Sequence, residues 1–248
     1  MIFVGLDDTD TLDDPGTNQL ARHLVRELAG EFSGRIILRH QLLEDPRVPC
    51  TKKNGCASIL FESRSERPRD ASSFTPGLAA QTTLLIEQLR DLIIPWCPAG
   101  SDPGFCVATA IPQVVVDWGL RTKQELVTQH EAREIAAANA IHLEGLGGTE
   151  DGVVGALAAV GLMATKNDGR VVHFGAGDED WYDVTGRLSV EDILSRGVDE
   201  ILTAETGQPL VAGTVDVGKR LRPNYRDGRI VLFVTRGEAP HWEAKRVT

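Results

Sequence analysis

The chain opens with residues 1–17, MIFVGLDDTDTLDDPGT, and the rest of the sequence is best interpreted outward from this stretch. The first six residues form an apolar, partly β-branched run that ends in Gly5 and Leu6, which predicts a buried strand. Five carboxylates follow within eight residues: Asp7, Asp8, Asp10, Asp13 and Asp14. Like charges this close repel one another unless a cation lies among them, which favours a divalent metal ion.

Acidic residues directly after a buried first strand are well placed to hold a hard cation together with the phosphates that it carries. Asp7, Asp8 and Asp10 are therefore the predicted metal ligands, and Asp8 is also a candidate catalytic residue. The alternative is a simple turn, because Asp bonds to its own backbone and Thr17 or Asn18 can cap the following helix. The crowding of charge favours the metal site.

Length and composition are those of a globular protein. The 248 residues suffice for one large or two small domains, with 42% hydrophobic and 25% charged residues. The net charge of −10 argues against a protein that holds nucleic acid mainly through its overall field. No membrane span is expected, and four cysteines without zinc-finger spacing or a signal peptide predict reduced thiols in a cytoplasmic protein.

Helical and strand patterns alternate along the first half. Apolar residues at three- and four-residue spacing predict a helix from Leu20 to Gly30, and residues 35–43 predict a strand. Residues 64–76 are polar and rich in Ser, Arg and Pro, as in a linker. A helix is expected over 78–94 and a strand over 105–111. Thr122 with Glu125 predicts a capping box at the start of a helix that extends towards residue 141.

A polar turn separates two apolar runs at Lys52, Lys53, Asn54 and Gly55. Asn-Gly is the strongest short hairpin signal, so one interpretation is a tight turn with two solvated lysines. The other is that a lysine contacts phosphate oxygens held at the acidic loop. On that hypothesis Lys52 is a catalytic candidate, and Lys53 and Asn54 bind the cofactor.

The second informative stretch is residues 144–162, EGLGGTEDGVVGALAAVGL, a glycine-rich turn that leads into a helix of small residues. Glycine permits positive φ and close approach of a ligand, and a helix N-terminus offers free N–H groups to an anion. Gly155 and Gly161 are expected to serve mainly close packing, and Gly155 with the neighbouring alanines to let the helix lie against a sheet. The predicted anion loop, which is neither a Walker A motif nor GxGxxG, consists of Gly147, Gly148, Thr149 and Gly152.

The last third carries a basic strip. Strands are expected over 170–174, 210–215 and 229–235, and Ser189 with Asp192 predicts the start of a short helix. Residues 219–229 contain one acidic residue and five basic ones: Lys219, Arg220, Arg222, Arg226 and Arg229. This strip is either a solvated hairpin loop or a site for a polyanionic substrate, with Tyr225 as a stacking surface.

Three motifs together carry a family resemblance: GLDDTDT at residues 5–11, the Lys-Asn-Gly turn, and GVVGALAAVGL at residues 152–162. They resemble the N-terminal region of archaeal tRNA(Ile2) 2-agmatinylcytidine synthetase. In that family a kinase-like domain binds Mg·ATP and activates a cytidine of tRNA for attack by agmatine, and a ferredoxin-like domain lies beside it. The resemblance implies that Asp7, Asp8 and Asp10 bind metal and nucleotide, and that Thr17 can accept phosphate.

From pattern and resemblance we expect an α/β (α+β) protein with a mixed β-sheet covered by helices, standing alone without the family's OB-fold and zinc ribbon. Residues 1–64 together with 141–248 are the expected nucleotide-binding, kinase-like domain. Residues 65–140 are expected to form a helical and loop insertion or a ferredoxin-like subdomain.

The expected function is Mg·ATP-dependent phosphoryl or nucleotidyl transfer to a small metabolite, as in cofactor biosynthesis, or to RNA. The alternative is a non-catalytic nucleotide- or phosphate-binding module that acts as a partner subunit. Nucleic acid bound through the strip 219–229 is the less favoured acceptor in so acidic a chain, and the oligomeric state is left open.

Overall fold

The computed structural model describes residues 1–48, 50, 53–64, 77–175, 181, 184–237, 241–245 and 247. Lys52 and the predicted linker beyond residue 64 lie outside the described residues. The described part contains six α-helices: α1 Thr17–Glu27, α2 Leu78–Trp96, α3 Gln113–Arg121, α4 Gln129–Ala138, α5 Gly152–Ala164 and α6 Val190–Ser195. It also contains twelve strands: β1 Ile2–Asp7, β2 Phe32–Arg39, β3 Ala57–Ser63, β4 Gly104–Ala108, β5 His142–Gly145, β6 Arg170–Phe174, β7 Arg187–Ser189, β8 Glu200–Thr203, β9 Thr214–Asp216, β10 Asn224–Arg226, β11 Arg229–Arg236 and β12 Trp242–Ala244.

The strands form one mixed sheet in the order β5-β4-β1-β3-β2-β6-β10-β11-β12-β9-β7, and β8 pairs in parallel with β11. The first strand of the chain, β1, lies in the interior of the sheet, antiparallel to both β3 and β4. The predicted mixed sheet covered by helices is confirmed. No helix among the described residues is long and apolar enough to cross a membrane.

Alternate residues of β1 face two helical layers, as the two-residue period of a strand requires. Ile2, Val4 and Leu6 are buried in a core shared with the apolar faces of α1 and α2. The opposite face of β1 carries Gly5 and Asp7, which lie against α5. Because β1 is covered on both sides, the short apolar run at the N-terminus is a central strand.

Small residues let α5 lie almost on the backbone of the sheet. A Cβ atom at Gly5 would be 1.9 Å from the carbonyl oxygen of Ala156, and one at Gly161 would be 2.0 Å from the carbonyl oxygen of Val115 on α3. Such distances are far below van der Waals contact, so only glycine fits at these crossings. The predicted packing role of the later glycines of α5 is therefore confirmed.

The second half of the sheet has a core of its own, formed by β6, β8, β9, β11 and α6 and reached from β2 through Ile36 and Leu38. The predicted capping box of Ser189 and Asp192 is confirmed, since it opens α6. The strand predicted over 210–215 is shorter, because ladder pairing starts only at Thr214.

The predicted capping box of Thr122 and Glu125 is wrong. Thr122 keeps helical dihedral angles and ends α3, and its hydroxyl donates to the carbonyl oxygen of Gly119 at 2.7 Å. The capping box consists of Thr128 and Glu131 and opens α4. Both Thr-x-x-Glu pairs match the pattern, and only the backbone conformation distinguishes them.

The segment predicted as an insertion contributes to the same sheet. Its strand β4 pairs with β1 on one side and with β5 on the other. Its helix α2 supplies Leu85, Leu89 and Ile93 to the core that also buries β1. The division into residues 1–64 with 141–248, and residues 65–140, stays a prediction.

Candidate active-site cleft

A cleft of about 900 Å³ opens at the edge of the sheet where β1 and β2 end and β6 begins. The acidic loop after β1, the connection from β2 to β3, the loop between α3 and α4 and the segment before β10 all contribute side chains to it. Its volume falls at the upper end of the range typical of ligand pockets, so it has room for a nucleotide and part of a second substrate.

One side of the cleft is acidic. Five aspartates line the cleft, and we call them the acidic side: Asp7, Asp8, Asp10, Asp102 and Asp151. Burial, followed by repulsion from neighbouring acids, raises the pKa of Asp7 to about 8 and that of Asp8 to about 6. At neutral pH Asp7 therefore keeps its proton unless a cation lies beside it.

Asp8 also adopts an uncommon backbone conformation, with φ at 53°. Asp tolerates the left-handed region better than most residues, but the conformation still has a cost outside glycine. Strained dihedral angles of this kind cluster at functional sites, where the surrounding structure holds them. Asp8 therefore combines backbone strain with a raised pKa.

The turn-and-cap alternative for the acidic loop accounts for only part of it. The N-cap of α1 is Gly16 and makes no side-chain capping bond, so Thr17 and Asn18 do not cap the helix. Asp14 behaves as a turn residue, because its carboxylate accepts a hydrogen bond from Thr11. Asp7, Asp8 and Asp10 instead line the cleft.

Thr17 lies at the start of α1, lines the cleft and is 7% exposed. Its hydroxyl accepts a hydrogen bond from the hydroxyl of Thr9 at 3.1 Å and donates to Oδ1 of Asp10 at 3.3 Å. Asp10 is thus positioned to draw the proton of this hydroxyl, which is the arrangement that a nucleophilic threonine needs.

Asp102 was missed by sequence reasoning, because a single acid in a Ser-Asp-Pro loop carries no motif. Its carboxylate accepts a hydrogen bond from the N–H of Thr149, and a Cβ atom at Gly148 would lie 1.8 Å from its Oδ1. Gly148 has φ at 59°, which favours glycine. The glycine-rich turn therefore wraps around Asp102.

The same turn is not a preformed anion cradle. The N–H groups of Thr149 and Gly152 are bonded to the side chain and the carbonyl oxygen of Asp102, the latter at 3.0 Å. Those of Glu150 and Val153 are bonded to carbonyl oxygens of the turn at 3.1 and 3.2 Å. These four donors are occupied, so phosphate binding by Gly147, Gly148, Thr149 and Gly152 stays a prediction.

The tight-turn interpretation of Asn54 and Gly55 is wrong. The strands β2 and β3 are antiparallel partners, but β2 ends at Arg39 and β3 begins only at Ala57. The side chain of Asn54 donates to the carbonyl oxygen of Leu43 at 2.8 Å, and its own carbonyl accepts from the N–H of Leu42 at 3.0 Å. Asn54 thus holds the two arms of this connection together at the cleft. Lys53 also lines the cleft, with Nζ 3.8 Å from Glu44.

The other side of the cleft is basic. We call the basic side four half-buried arginines that line it: Arg39, Arg170, Arg220 and Arg222. Arg39, the last residue of β2, and Arg170, the first of β6, are direct partners across the two strands. The strip 219–229 is thereby divided, since Arg220 and Arg222 line the cleft and Lys219, Arg226 and Arg229 do not. Tyr225 packs on the second core.

A buried polar network lies beneath the basic side. The ring of His40, which is fully buried, has Nδ1 2.7 Å from Oδ1 of Asp168 and Nε2 2.7 Å from the hydroxyl of Ser58. Asp168 also pairs with Lys123. Burial lowers the pKa of His40. With His40 and Ser58 fully buried, the network is structural.

No group of three or more His, Cys, Asp or Glu side chains within the described ranges is already arranged to hold a metal ion. The donor chemistry of Asp7 and Asp8 nevertheless fits a hard divalent cation, which carboxylate oxygens bind. A cation there would remove the repulsion that raises the pKa of both acids. Metal binding by Asp7, Asp8 and Asp10 stays a prediction.

No model of a known protein family matches the chain. Similar proteins include an uncharacterized protein of Methanocaldococcus jannaschii, 28% identical over 163 residues that cover 65% of this chain and 49% of the relative. They also include tRNA(Ile2) 2-agmatinylcytidine synthetase of Pyrococcus horikoshii, 26% identical over 166 residues that cover 65% of this chain and 35% of the relative. The chain thus spans half or less of the length of these curated relatives.

Solved structures share the fold. A tRNA fluorescent labeling enzyme aligns with a TM-score of 0.52 at 21% identity, over 64% of this chain and 35% of that one. The synthetase bound to tRNA(Ile2), AMPCPP and agmatine aligns with a TM-score of 0.51 at 19% identity, over 78% of this chain and 43% of that one. The complex of the synthetase with tRNA(Ile2) and ATP aligns with a TM-score of 0.50 at 20% identity, over 76% of this chain and 38% of that one. In sequence and in fold, the chain resembles tRNA(Ile2) 2-agmatinylcytidine synthetase, as its three motifs predicted.

Proposed function

We propose that the chain is an ATP-dependent transferase that binds Mg·ATP at the acidic side of the cleft and transfers a phosphoryl or nucleotidyl group to an RNA acceptor. The observation that carries the proposal is the acidic side itself, where the raised pKa values of Asp7 and Asp8 favour a cation and its phosphates. The similarity to a synthetase whose structure has been solved with ATP and tRNA supports the same activity.

In this proposal Asp7, Asp8 and Asp10 hold Mg²⁺, with Asp102 completing the negative surface around them. The bound ion supplies positive charge that neutralises the phosphates during transfer. Apolar side chains that line the cleft, among them Leu126, Val127 and Val154, offer a surface for the nucleoside.

Thr17 is the proposed phosphate acceptor within the chain. Its hydroxyl already donates to Oδ1 of Asp10, so this oxygen can take the proton while Oδ2 remains available to Mg²⁺. The threonine oxygen attacks the γ-phosphorus of ATP, and the bond from that phosphorus to the β-phosphate oxygen breaks to release ADP. Its position at the first residue of α1 also places a product phosphate at a helix N-terminus, which favours negative charge.

Thermal unfolding with and without nucleotide tests the proposal, because a ligand that binds only the native state raises Tm. We expect Mg·ATP to raise Tm, and the increase to disappear when Mg²⁺ is chelated. The variant Asp8→Asn should lose the increase. The control Asp13→Asn removes an exposed carboxylate of the same loop that does not line the cleft, and it should respond as the wild type does.

A Tm unchanged by any nucleotide, in a protein that unfolds cooperatively, would contradict nucleotide binding. The RNA acceptor has a separate test, because ATP consumption should rise on addition of RNA. Equal consumption with and without RNA would count against RNA and favour a small-molecule acceptor.

A further inference from the structure

Charge is segregated along the edge of the sheet that borders the cleft. Leu6 on β1 pairs with Ala57 on β3, Ala57 with Arg39 on β2, and Arg39 with Arg170 on β6. The acidic loop begins one residue after Leu6. These paired residues form a single row across four neighbouring strands. The acidic side lies at one end of this row and the basic side at the other.

This row sets the distance between the two sides. Neighbouring strands lie about 4.8 Å apart, so β1 and β6 are separated by three spacings, or about 14 Å. This spacing leaves room for an anion on the basic side that is a different group from the one held with a cation at the acidic side.

The basic side has a second unusual feature, because two of its arginines are direct partners across an antiparallel pair. Arg39 and Arg170 are opposed on β2 and β6, and both line the cleft. An anion between them would receive hydrogen bonds from two guanidinium groups, whose planar geometry matches phosphate oxygens.

Arg220 and Arg222 extend this surface along the segment that enters β10, where the N–H of Val171 donates to the carbonyl oxygen of Pro223 at 2.8 Å. The four arginines therefore come from three segments that are distant in sequence and meet only in the folded protein. The chain has a net charge of −10, so the basic side is a local patch of positive charge on a protein that is negative overall.

We infer that the basic side is an anion subsite for the acceptor, and that the acceptor carries its own phosphate, as a polynucleotide backbone or a nucleotide monoester does. The inference extends the proposed function, because it gives the acceptor's chemistry and its place in the same cleft. Arg39 and Arg170 form the centre of this subsite, and Arg222 lies on its flank.

Binding of two probes without ATP tests the inference: a fluorescein-labelled single-stranded RNA oligonucleotide and uridine 5′-monophosphate. We expect Arg39→Gln, Arg170→Gln and Arg222→Gln each to weaken binding at least about fivefold and to reduce the salt dependence of RNA binding by about 0.7. The matched control is Arg35→Gln, which removes the same charge from the same strand at a position paired with Glu62 and away from the cleft.

The outcomes separate the sources of the phosphate. Loss of RNA binding alone in the three variants assigns a polynucleotide backbone, and loss of monophosphate binding alone assigns a small phosphate ester. The inference is overturned if the wild type binds neither probe, or if Arg35→Gln is as impaired as the cleft variants. The Mg·ATP shift in Tm, measured in the same variants, reports on the proposed function independently and should be retained. Arg222 lies in a loop, so its variant remains informative if a strand variant fails to fold.

Discussion

Asp7 occupies the space that a side chain at Gly155 would need, since a Cβ atom at Gly155 would lie 1.8 Å from Oδ2 of Asp7. The helix α5 therefore approaches the end of β1 closely enough to hold the carboxylate against its backbone. A glycine in the middle of a helix costs about 1 kcal/mol relative to alanine. At Gly155 the missing side chain leaves the space that the carboxylate of Asp7 occupies at the cleft.

The variant Gly155→Ala should reduce stability by about 1–3 kcal/mol despite the better helix propensity of alanine, because the new methyl group overlaps Asp7. Urea unfolding measures the loss. The double variant Gly155→Ala with Asp7→Ala removes the overlapping carboxylate and should recover most of it, giving a coupling energy between the two positions. Additive effects would show that the methyl group is accommodated elsewhere.

The stability of the metal-free protein should fall as pH rises from about 4 through about 8. Asp7 and Asp8 have folded-state pKa values of about 8 and about 6 against 3.8 for an ordinary Asp, so the folded state binds more protons over this interval. In EDTA, Asp7→Asn should be more stable than the wild type, with an advantage that grows between about pH 5 and about pH 8.5. We expect about 1–3 kcal/mol at the upper end, because part of the side chain faces the cleft. If the free energy of unfolding of Asp7→Asn and of the wild type changes equally with pH, as expected for the control Asp13→Asn, the raised pKa of Asp7 is excluded.

Removal of Asp168 should destabilise the protein strongly. Asp168→Ala leaves the buried ring of His40 and the ammonium of Lys123 without their shared partner. Breaking a buried pair in this way costs about 3–5 kcal/mol. The control Asp45→Ala breaks an ion pair with the exposed Arg47, and chemical unfolding should detect no change. If Asp168→Ala lowers the free energy of unfolding only slightly, water has replaced the carboxylate as the partner of His40 and Lys123.

Incubation with Mg·ATP should add the mass of one phosphoryl group to the wild-type chain, detected by intact-mass spectrometry. Thr17→Val should remain unmodified, and Asp10→Asn should react more slowly because Thr17 donates to this acid. Thr11→Val, in the same loop, should be modified normally. An unmodified wild type would leave Thr17 as a structural hydroxyl only.

Local patterns predicted the elements that carry the acidic side. The apolar run before Asp7 and the small-residue helix after Gly152 are both determined by nearby residues, and both are confirmed. Thr122 shows where local pattern fails, because the same spacing recurs six residues later at Thr128, and packing decides which residue begins a helix.

The basic side could not be predicted as a unit. Arg39 and Arg170 are 131 positions apart and meet because β2 pairs with β6 in one register. Asp102 enters the site through the pairing of β4 with β1. Sheet order and register are long-range properties, and no periodicity in either segment encodes them.

The interior position of β1 has a consequence for the order in which the molecule can assemble. The strand is synthesised before its two neighbours, β3 at residues 57–63 and β4 at residues 104–108, and before α5, which covers it from residue 152 onward. A nascent chain shorter than this has the acidic loop but neither the partners nor the cover that hold Asp7 in place. Pairing over such separations is slow, so the acidic loop is synthesised well before the contacts that hold it can form.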